Sequence, residues 1–407
     1  LYATELIESF PGEKWLKEVR REAISTAEQV QFPTGQQEKW KYSPVHKLKL
    51  EKYDPVSIKP EIQNRTDDKS ISLSSNYVEL NDGYLTSFSE SEEYNVLQVS
   101  NIEIPFEFRA SRDFFSQLNL ALSPDPIVIK IPKDANLDEP LIIHNNLTTD
   151  EALTFPKLHL DIGSGAEVSI VEIFHSDDLK SLSIPETKIF VGDRANLKYQ
   201  QIQNIGIDVW QLGNLDVTVN HHATFNGATV GIGGGYARME THCRLLGRGA
   251  TGNLSAIYHG TGNQILDYRT YQEHAGRNTE SNLLFKGVLD DQAKSIYTGL
   301  IRVHKEASGT NAYQTNRTIK LSEQTWAESV PNLEIENNDV RCSHASTVSP
   351  VDDDQRFYLE TRGIPSEIVD KLIVKGFINE VVQKLPVTEV NEWILELLTN
   401  KQNGKVA

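Results

Sequence analysis

From about residue 85 to residue 335 the chain is a succession of short β-prone runs with almost no room for helices between them, and this limits the fold more than any other feature. PIVIKI, LIIHNN, KLHLDI, EVSIVEIFH, TKIFV, LKYQQIQNI and LDVTVNHHATF are each bounded by Gly, Asp, Asn or Pro. Several alternate polar with apolar residues, the period-2 pattern of a half-buried strand. Parallel strands joined by helices need a helical pattern in every crossover, so a doubly wound α/β fold is disfavoured. A turn signature also recurs, a Gly or Asn region followed by Ala and then a strand. It is seen in GSGAEVSIVE, GDRANLKYQ, NGATVGIG, GRGATGNLS, DDQAKSIYTG and GTNAYQTN, with Ala166, Ala195, Ala228, Ala250, Ala293 and Ala312. An irregular period of about 20–30 residues suits one β-coil per repeat. A small residue at a recurring bend lets coils stack, and glycine supplies positive φ there. Two folds fit this pattern: a stacked β-helix, whose coils depend on their neighbours, and a β-sandwich of similar strand count.

Both ends read as helical. Leu6, Phe10, Trp15, Leu16, Val19 and Ala23 line one side of one or two short helices, broken at Pro11-Gly12. FPTGQQEKWKYSPV, from Phe32 to Val45, mixes turn residues with Trp40 and Tyr42. It is expected to be an ordered connector whose aromatics pack on the main body. Residues 61–80 are polar and Ser-rich, an expected exposed loop. At the other end, Asp352, Asp353 and Asp354 favour a helix start, and Gly363 a stop. Pro365 and Ser366 suit a second start and Pro386 its end, with Ile368, Leu372, Ile373, Phe377 and Val381 as the apolar stripe. Val390, Trp393, Ile394, Leu397 and Leu398 mark a last helix. The expected division is a helical region and connector over 1–80, a β core over 85–345 and a helical domain over 350–407.

Lys plus Arg number 40 and Asp plus Glu 57 among 407 residues, a formal charge of -17. That balance disfavours nucleic acid and anionic membrane surfaces as partners. No apolar run approaches the ~20 residues of a membrane span. The opening LYATELIESF lacks the basic-then-apolar pattern of a secretion signal. Two cysteines, Cys243 and Cys342, make no disulfide framework, so a reducing, cytoplasmic compartment is expected.

The chemistry-bearing residues are few. There is no GxxxxGK[ST], and GIGGG from Gly231 to Gly235 reads as a tight bend, so the chain is not itself an ATPase. Cys243 follows His242, and neighbours on a strand point to opposite faces, which argues against a thiolate–imidazole pair. His222, His242 and His259 could stack as a ladder on successive coils. Asp267, Asp290 and Asp291 offer carboxylates for glycoside chemistry, the usual enzyme reading of a β-helix, but serve equally well in turns. The sharper pair is Cys342 and His344 in VRCSHASTV. With one residue between them both side chains face the same side of a strand, and thiolate with imidazole suits a soft or borderline metal. Two ligands are too few, so others must come from another segment or another subunit.

PNLEIENNDVRCSHASTVSPVDDDQRFYLETRGIPSEIVDKLIVKGFINEVV resembles the C-terminal signature of the SufB/SufD family of iron–sulfur cluster assembly proteins. Pro331, Leu333, Glu334, Ile335, Asp339, Val340, Cys342, His344, Thr347, Val348, Phe357, Tyr358, Leu359, Arg362, Gly363, Ile364, Gly376 and Phe377 carry the match. FPTGQQEKWKYS is similar to an N-terminal family element through Pro33, Thr34, Glu38, Trp40, Lys41 and Tyr42. HxxxxTxSxxxxKGVLxDxxxSxxxG can be traced from His274 to Gly299. The length, the WKY element and Ser343, where the SufB branch carries Glu, favour the SufD branch. Ala345, Ser346 and Ser349 depart from the family's Gly-Ala and Gly.

The resemblance implies a mostly β protein, a right-handed parallel β-helix core flanked by N-terminal and C-terminal helical regions, acting as a scaffold and not as an enzyme. It implies a heterodimer with a SufB-like homologue and a SufC-like ABC ATPase held on the C-terminal helices. Phe357, Tyr358, Leu372, Ile373 and Phe377 are the expected contacts. His344, with Cys342 beside it, would meet iron or a nascent iron–sulfur cluster at the partner interface. No cofactor would be tightly bound to the isolated chain, which leaves a homodimer open. The competing readings are a β-helix carbohydrate-active enzyme and the SufB-type cluster scaffold.

Overall fold

The structure is a computed structural model that describes residues 4–60, 74–103, 108 and 113–404. Among these, the strands alternate between two sheets, one of twelve strands and one of ten. Within a sheet the strands pair in parallel with those one coil before and after, except that Tyr84–Phe88 and Asn95–Gln98 join the N-terminal end antiparallel. Thr251–Gly260, for example, lies between Thr224–Gly231 and Glu280–Leu289. The product is a parallel β-solenoid of about eight turns with helices at both termini, and the sandwich is ruled out.

The coil length is set at one recurring bend. Ala135, Ala166, Ala195, Ala223, Ala250, Thr279, Thr310 and Val340 stack in register on successive coils, 27 to 31 residues apart. The six from Ala166 to Thr310 are essentially inaccessible to solvent. A larger side chain there would push coils apart. The residue before each of the first seven has positive φ: Asp134, Gly165, Arg194, His222, Gly249, Asn278 and Gly309. Glycine adopts this conformation without strain, whereas Arg194 and His222 must be held in it by the stack. Three of the alanines read from sequence lie off this stack: Ala293 sits at a different bend, before the strand Lys294–Val303 of the twelve-stranded sheet, and the other two are slipped within their coils. Ala228 and Ala312 lie inside the strands Thr224–Gly231 and Thr310–Lys320, and Ala223 and Thr310 hold the bend. The slip arose because His and Thr replace Gly and Ala at those two bends.

Helices cover both outer faces. Phe10 at the end of α1 (Thr4–Ser9), Ala23 and Ala27 of α2 (Lys14–Gln29), and Trp40 pack with α3 (Phe114–Leu122) on Leu153, Ile184 and Leu212 of the twelve-stranded sheet. Helix α3 falls where the sequence offered no helix. All nine of its residues, FFSQLNLAL, are buried, so it has no polar face to reveal a period. Asp113 caps it by accepting from the Ser116 N–H at 3.0 Å. The expected loop over 61–80 is also corrected in part. Residues 61–73 lie outside the described residues, while Tyr77–Asn81 is a strand with Val78 and Leu80 buried.

On the ten-stranded sheet lie α5 (Ser366–Val382) and α6 (Asn391–Gln402), with α4 (Asp353–Thr361) packed beside α5. Asp352 caps α4 by accepting from the N–H groups of Asp354 and Gln355. Val374, Ile378, Val381 and Val382 of α5 pack with Ile394, Leu397 and Leu398 of α6 against Val171, Ile202, Val230 and Ile257. The buried stripe of α5 is therefore rotated from the one read in sequence. Ile368 and Leu372 face solvent at 47% and 43% exposure. No described helix is long and apolar enough to cross a membrane.

Candidate functional site at the open end of the solenoid

The solenoid ends asymmetrically. Its last two strands, Trp326–Ile335 and Val340–Pro350, are ten and eleven residues long, and among the described residues each pairs on one side only. The outermost strands at the other end, Tyr84–Phe88 and Asn95–Gln98, have five and four residues. A long unpaired edge presents a row of backbone N–H and C=O groups that another chain can pair with, whereas a short edge offers little. Pro331 was a sequence sign of this edge, because a proline within a sheet is confined to strands with a free side.

Cys342 and His344 lie on the last strand, two residues apart and so on one face. In register they stand over Ala312 and Gln314 of the preceding coil, and Ser346 stands over Asn316. Those three underlying residues are buried, so this face of the strand looks into the solenoid interior at its mouth. Across the mouth, the Ser346 hydroxyl donates to Ser329 Oγ at 2.7 Å, and Asn316 Nδ2 donates to the same oxygen at 2.8 Å. Gln314 has neither amide atom hydrogen-bonded, and the Asn316 amide oxygen also lacks a partner. Such groups are rare in finished interiors, and a docked partner or water would complete them.

The two donors differ. His344 is exposed. Cys342 is half-buried against Ile301, Val303 and Ala312, and this burial pushes its thiol above the ordinary range. It is protonated at neutral pH and must release that proton to ligate a metal. No group of three or more His, Cys, Asp or Glu side chains among the described residues is placed to hold a metal ion. Cys342 and His344 are two potential donors, and a tetrahedral site needs four.

The five residues expected to contact an ATPase subunit are spread over α4 and α5. Phe357, Tyr358 and Leu372 are exposed, the first two at 68% and 57%. Arg356 joins the helices by donating to both carboxylate oxygens of Asp370, at 3.0 and 3.1 Å. Ile373 is half-buried. Phe377 turns toward the solenoid, with Lys286 Nζ 4.2 Å from its ring centroid.

The other sequence candidates are placed apart or locked into the framework. His242 and His259 belong to different sheets, and His222 is a bend residue, so there is no ladder. His242 stacks on Tyr271 at 4.3 Å. Cys243 is fully buried, and burial raises its thiol to about 12, which makes it inert. Gly234 bends at φ +86°, and a Cβ on Gly233 would meet Ile205 backbone atoms at 2.2–2.9 Å, so the glycine run is a tight turn. Asp290 and Asp291 form a turn: Asp290 Oδ1 accepts from the Asp291 N–H, and Asp291 Oδ2 from the Gly262 N–H. The pattern from His274 to Gly299 builds the framework. Buried His274 bonds Thr279 and Ser281 at 2.8 and 2.9 Å, and Lys286 reaches the Phe377 carbonyl and Glu380 on α5.

Asp267 has a role the sequence did not reveal. It is wholly buried and holds Arg238 Nη1 at 2.8 Å and Arg269 Nε at 2.7 Å. Those guanidiniums donate to the Lys39 and Lys41 carbonyls at 3.2 and 2.9 Å, and Arg238 lies 4.0 Å over the Trp40 ring. Tyr236 donates to Asp267 and bonds Ser43 at 2.7 Å. The WKYS segment is thereby fastened to the solenoid. The available signal was charge at outward positions of two neighbouring strands, in ARMET and LDYRT.

A family model described as the SufBD core domain of the SUF system of FeS cluster assembly matches residues 145–377. An iron–sulfur cluster assembly SufBD family protein of Mycobacterium bovis is 30% identical over 292 residues, 70% of this chain and 72% of its own. The iron–sulfur cluster assembly protein SufD of Escherichia coli is 27% identical over 384 residues, 92% of this chain and 90% of its own. A SufBD family protein of Mycobacterium leprae is 28% identical over 67% of this chain and 71% of its own.

Proposed function

The chain belongs to the SufBD family of SUF-system iron–sulfur cluster assembly proteins, and from this we propose that it acts as a SufD-type scaffold subunit and not as a catalyst. The observation that carries the reading is the long unpaired edge at the solenoid mouth, displaying Cys342 and His344 where a second subunit would sit. A SufB-like homologue docks there by strand pairing, which satisfies the edge and completes the ligand set around iron or a nascent cluster, the cargo of the complex. In its absence a second copy of this chain can take the same place. The exposed Phe357, Tyr358 and Leu372 support docking of a SufC-like ABC ATPase on α4 and α5, with Ile373 and Phe377 at the margin. Two unpaired cysteines suit a reducing cytoplasm.

Co-expression with a SufB-like and a SufC-like partner tests this. A shared size-exclusion peak is expected; three separate peaks would refute the assembly. Within the complex, His344→Ala should lower cluster accumulation on the order of tenfold, the scale of losing a metal-positioning group. Because His344 is exposed, its unfolding midpoint should stay within ~0.5 kcal/mol of wild type. Unchanged accumulation would remove His344 from the site. Leu372→Asp should weaken ATPase capture about thirtyfold, a loss of ~2 kcal/mol for a hot-spot position. Its exposure means that circular dichroism should not change.

A further inference from the structure

Away from the solenoid mouth, a cleft of about 590 Å³ lies between the end of α6 and the outer face of the ten-stranded sheet. His259 lines it. This side chain is 1% exposed, and its Nδ1 has no hydrogen-bond partner. Lys401 reaches in from α6 and donates to the Ile232 carbonyl and, at 2.7 Å, to Gln264 Oε1. Four carboxylates, Asp177, Asp178, Asp290 and Asp291, also line the cleft, three of them exposed and Asp290 half-buried.

We propose that this cleft binds a small zwitterion, an amino-carboxylate whose carboxylate meets the Lys401 ammonium and the edge of the His259 ring and whose ammonium meets the aspartates. An ammonium carries three donors, and protein oxygens take two of those on Lys401. Burial lowers Lys401 to about 8, so an anion beside it restores what desolvation removes. Burial, and then Lys401 itself, holds His259 at about 3, so the ring is neutral and can donate one N–H. A simple anion would be repelled by four carboxylates, and a simple cation by Lys401. A molecule with both charges answers both ends. The site shares no residue with the solenoid mouth or with the exposed faces of α4 and α5, so it stands apart from the scaffold reading.

The test is isothermal titration calorimetry of the full chain with glycine, β-alanine, γ-aminobutyrate and 5-aminovalerate, with acetate and methylammonium as half-ligands. One chain length should bind saturably, about tenfold or more tighter than either half. Lys401→Met, His259→Phe and the pair Asp290→Asn with Asp291→Asn should each weaken it about tenfold, while His259→Gln retains most of it. Because the bound carboxylate raises the Lys401 pKa, binding at pH 8 should take up protons and its heat should vary with buffer. No binding by any of the four to a natively melting chain would overturn the proposal. So would acetate binding as tightly as the amino acids, or a buffer-independent heat.

Discussion

Replacing Asp267 with alanine is expected to destabilise the folded chain by about 3–5 kcal/mol, the cost of removing one partner from a buried ion pair. Arg238, Arg269 and Asp267 are each no more than 2% exposed. Without the carboxylate, Arg269 keeps only backbone carbonyls and Arg238 keeps Glu240, at 2.9 Å, with the Lys39 carbonyl. Asp267→Asn should cost nearly as much, since it preserves shape and removes charge. Lys39→Met is the contrast. Its side chain is one-third exposed at 33%, and the buried Glu240 that it pairs with keeps Arg238 and His242, so its loss should cost less, on the order of 1–2 kcal/mol. Urea unfolding measures all three. The same substitution should free the WKYS segment, so trypsin should cut after Lys39 and Lys41 faster in Asp267→Ala than in wild type. An unchanged urea midpoint would mean that this cluster does not fasten the connector.

The parts of the fold legible in sequence were those with a local cause. Bounded β runs and small residues at bends gave the coils, because the bend geometry admits little else. The register within a coil was less legible. Arg194, His222 and Asn278 occupy the positive-φ position that Gly165, Gly249 and Gly309 mark openly, and stacking across coils is what holds them there. Helix α3 was hidden for the opposite reason, since burial on every side erases the pattern by which an amphipathic helix is known.

The site shows the same division. That Cys342 and His344 share a face follows from their spacing. That the face opens at the mouth of the solenoid follows only from strand order, since the same two residues one coil earlier would be sealed inside, as Ala312 and Gln314 are. Sequence also could not say which apolar residues of α5 were free. Val374 and Ile378 are buried between the solenoid and α6, and that leaves Ile368 and Leu372 outward. The exposed apolar surface of this hairpin is thus defined by what the solenoid does not cover.

Acid is expected to destabilise the chain well before most carboxylates protonate. His159, His259 and His274 are buried within the fold, at 8%, 1% and 0% exposure. Burial holds them neutral, at about 3, 3 and 4. In the unfolded chain they titrate near 6.5. Between pH 6.5 and about 4 the unfolded chain therefore binds up to three more protons, so their stabilisation is complete above pH 6.5 and is lost as pH falls toward their folded values. At 1.36 kcal/mol per unit for each group, the combined slope approaches ~4 kcal/mol per pH unit. Buried Glu172 opposes this, because burial raises its carboxyl despite bonds from Tyr199, Gln201, Thr187 and Asn145. Burial also raises the Asp125 carboxyl, so the two together oppose by at most two protons against three. The depressed carboxyls of Glu186 and Glu240 add to the loss only as pH approaches their unfolded values near 4.3, at the acid end of the window. With a total stability of about 5–10 kcal/mol, the lower part of the typical range, two to three pH units below 6.5 are enough to exhaust it, which places the acid midpoint near pH 3.5–4.5. The urea midpoint should be level near pH 7 and fall steeply below pH 6. His274→Gln, which keeps a donor and an acceptor between Thr279 and Ser281, should remove about a third of that slope. A midpoint constant from pH 7 to pH 5 would show that the three imidazoles are not buried neutral, and with them would go the tight stacking of coils that encloses His274.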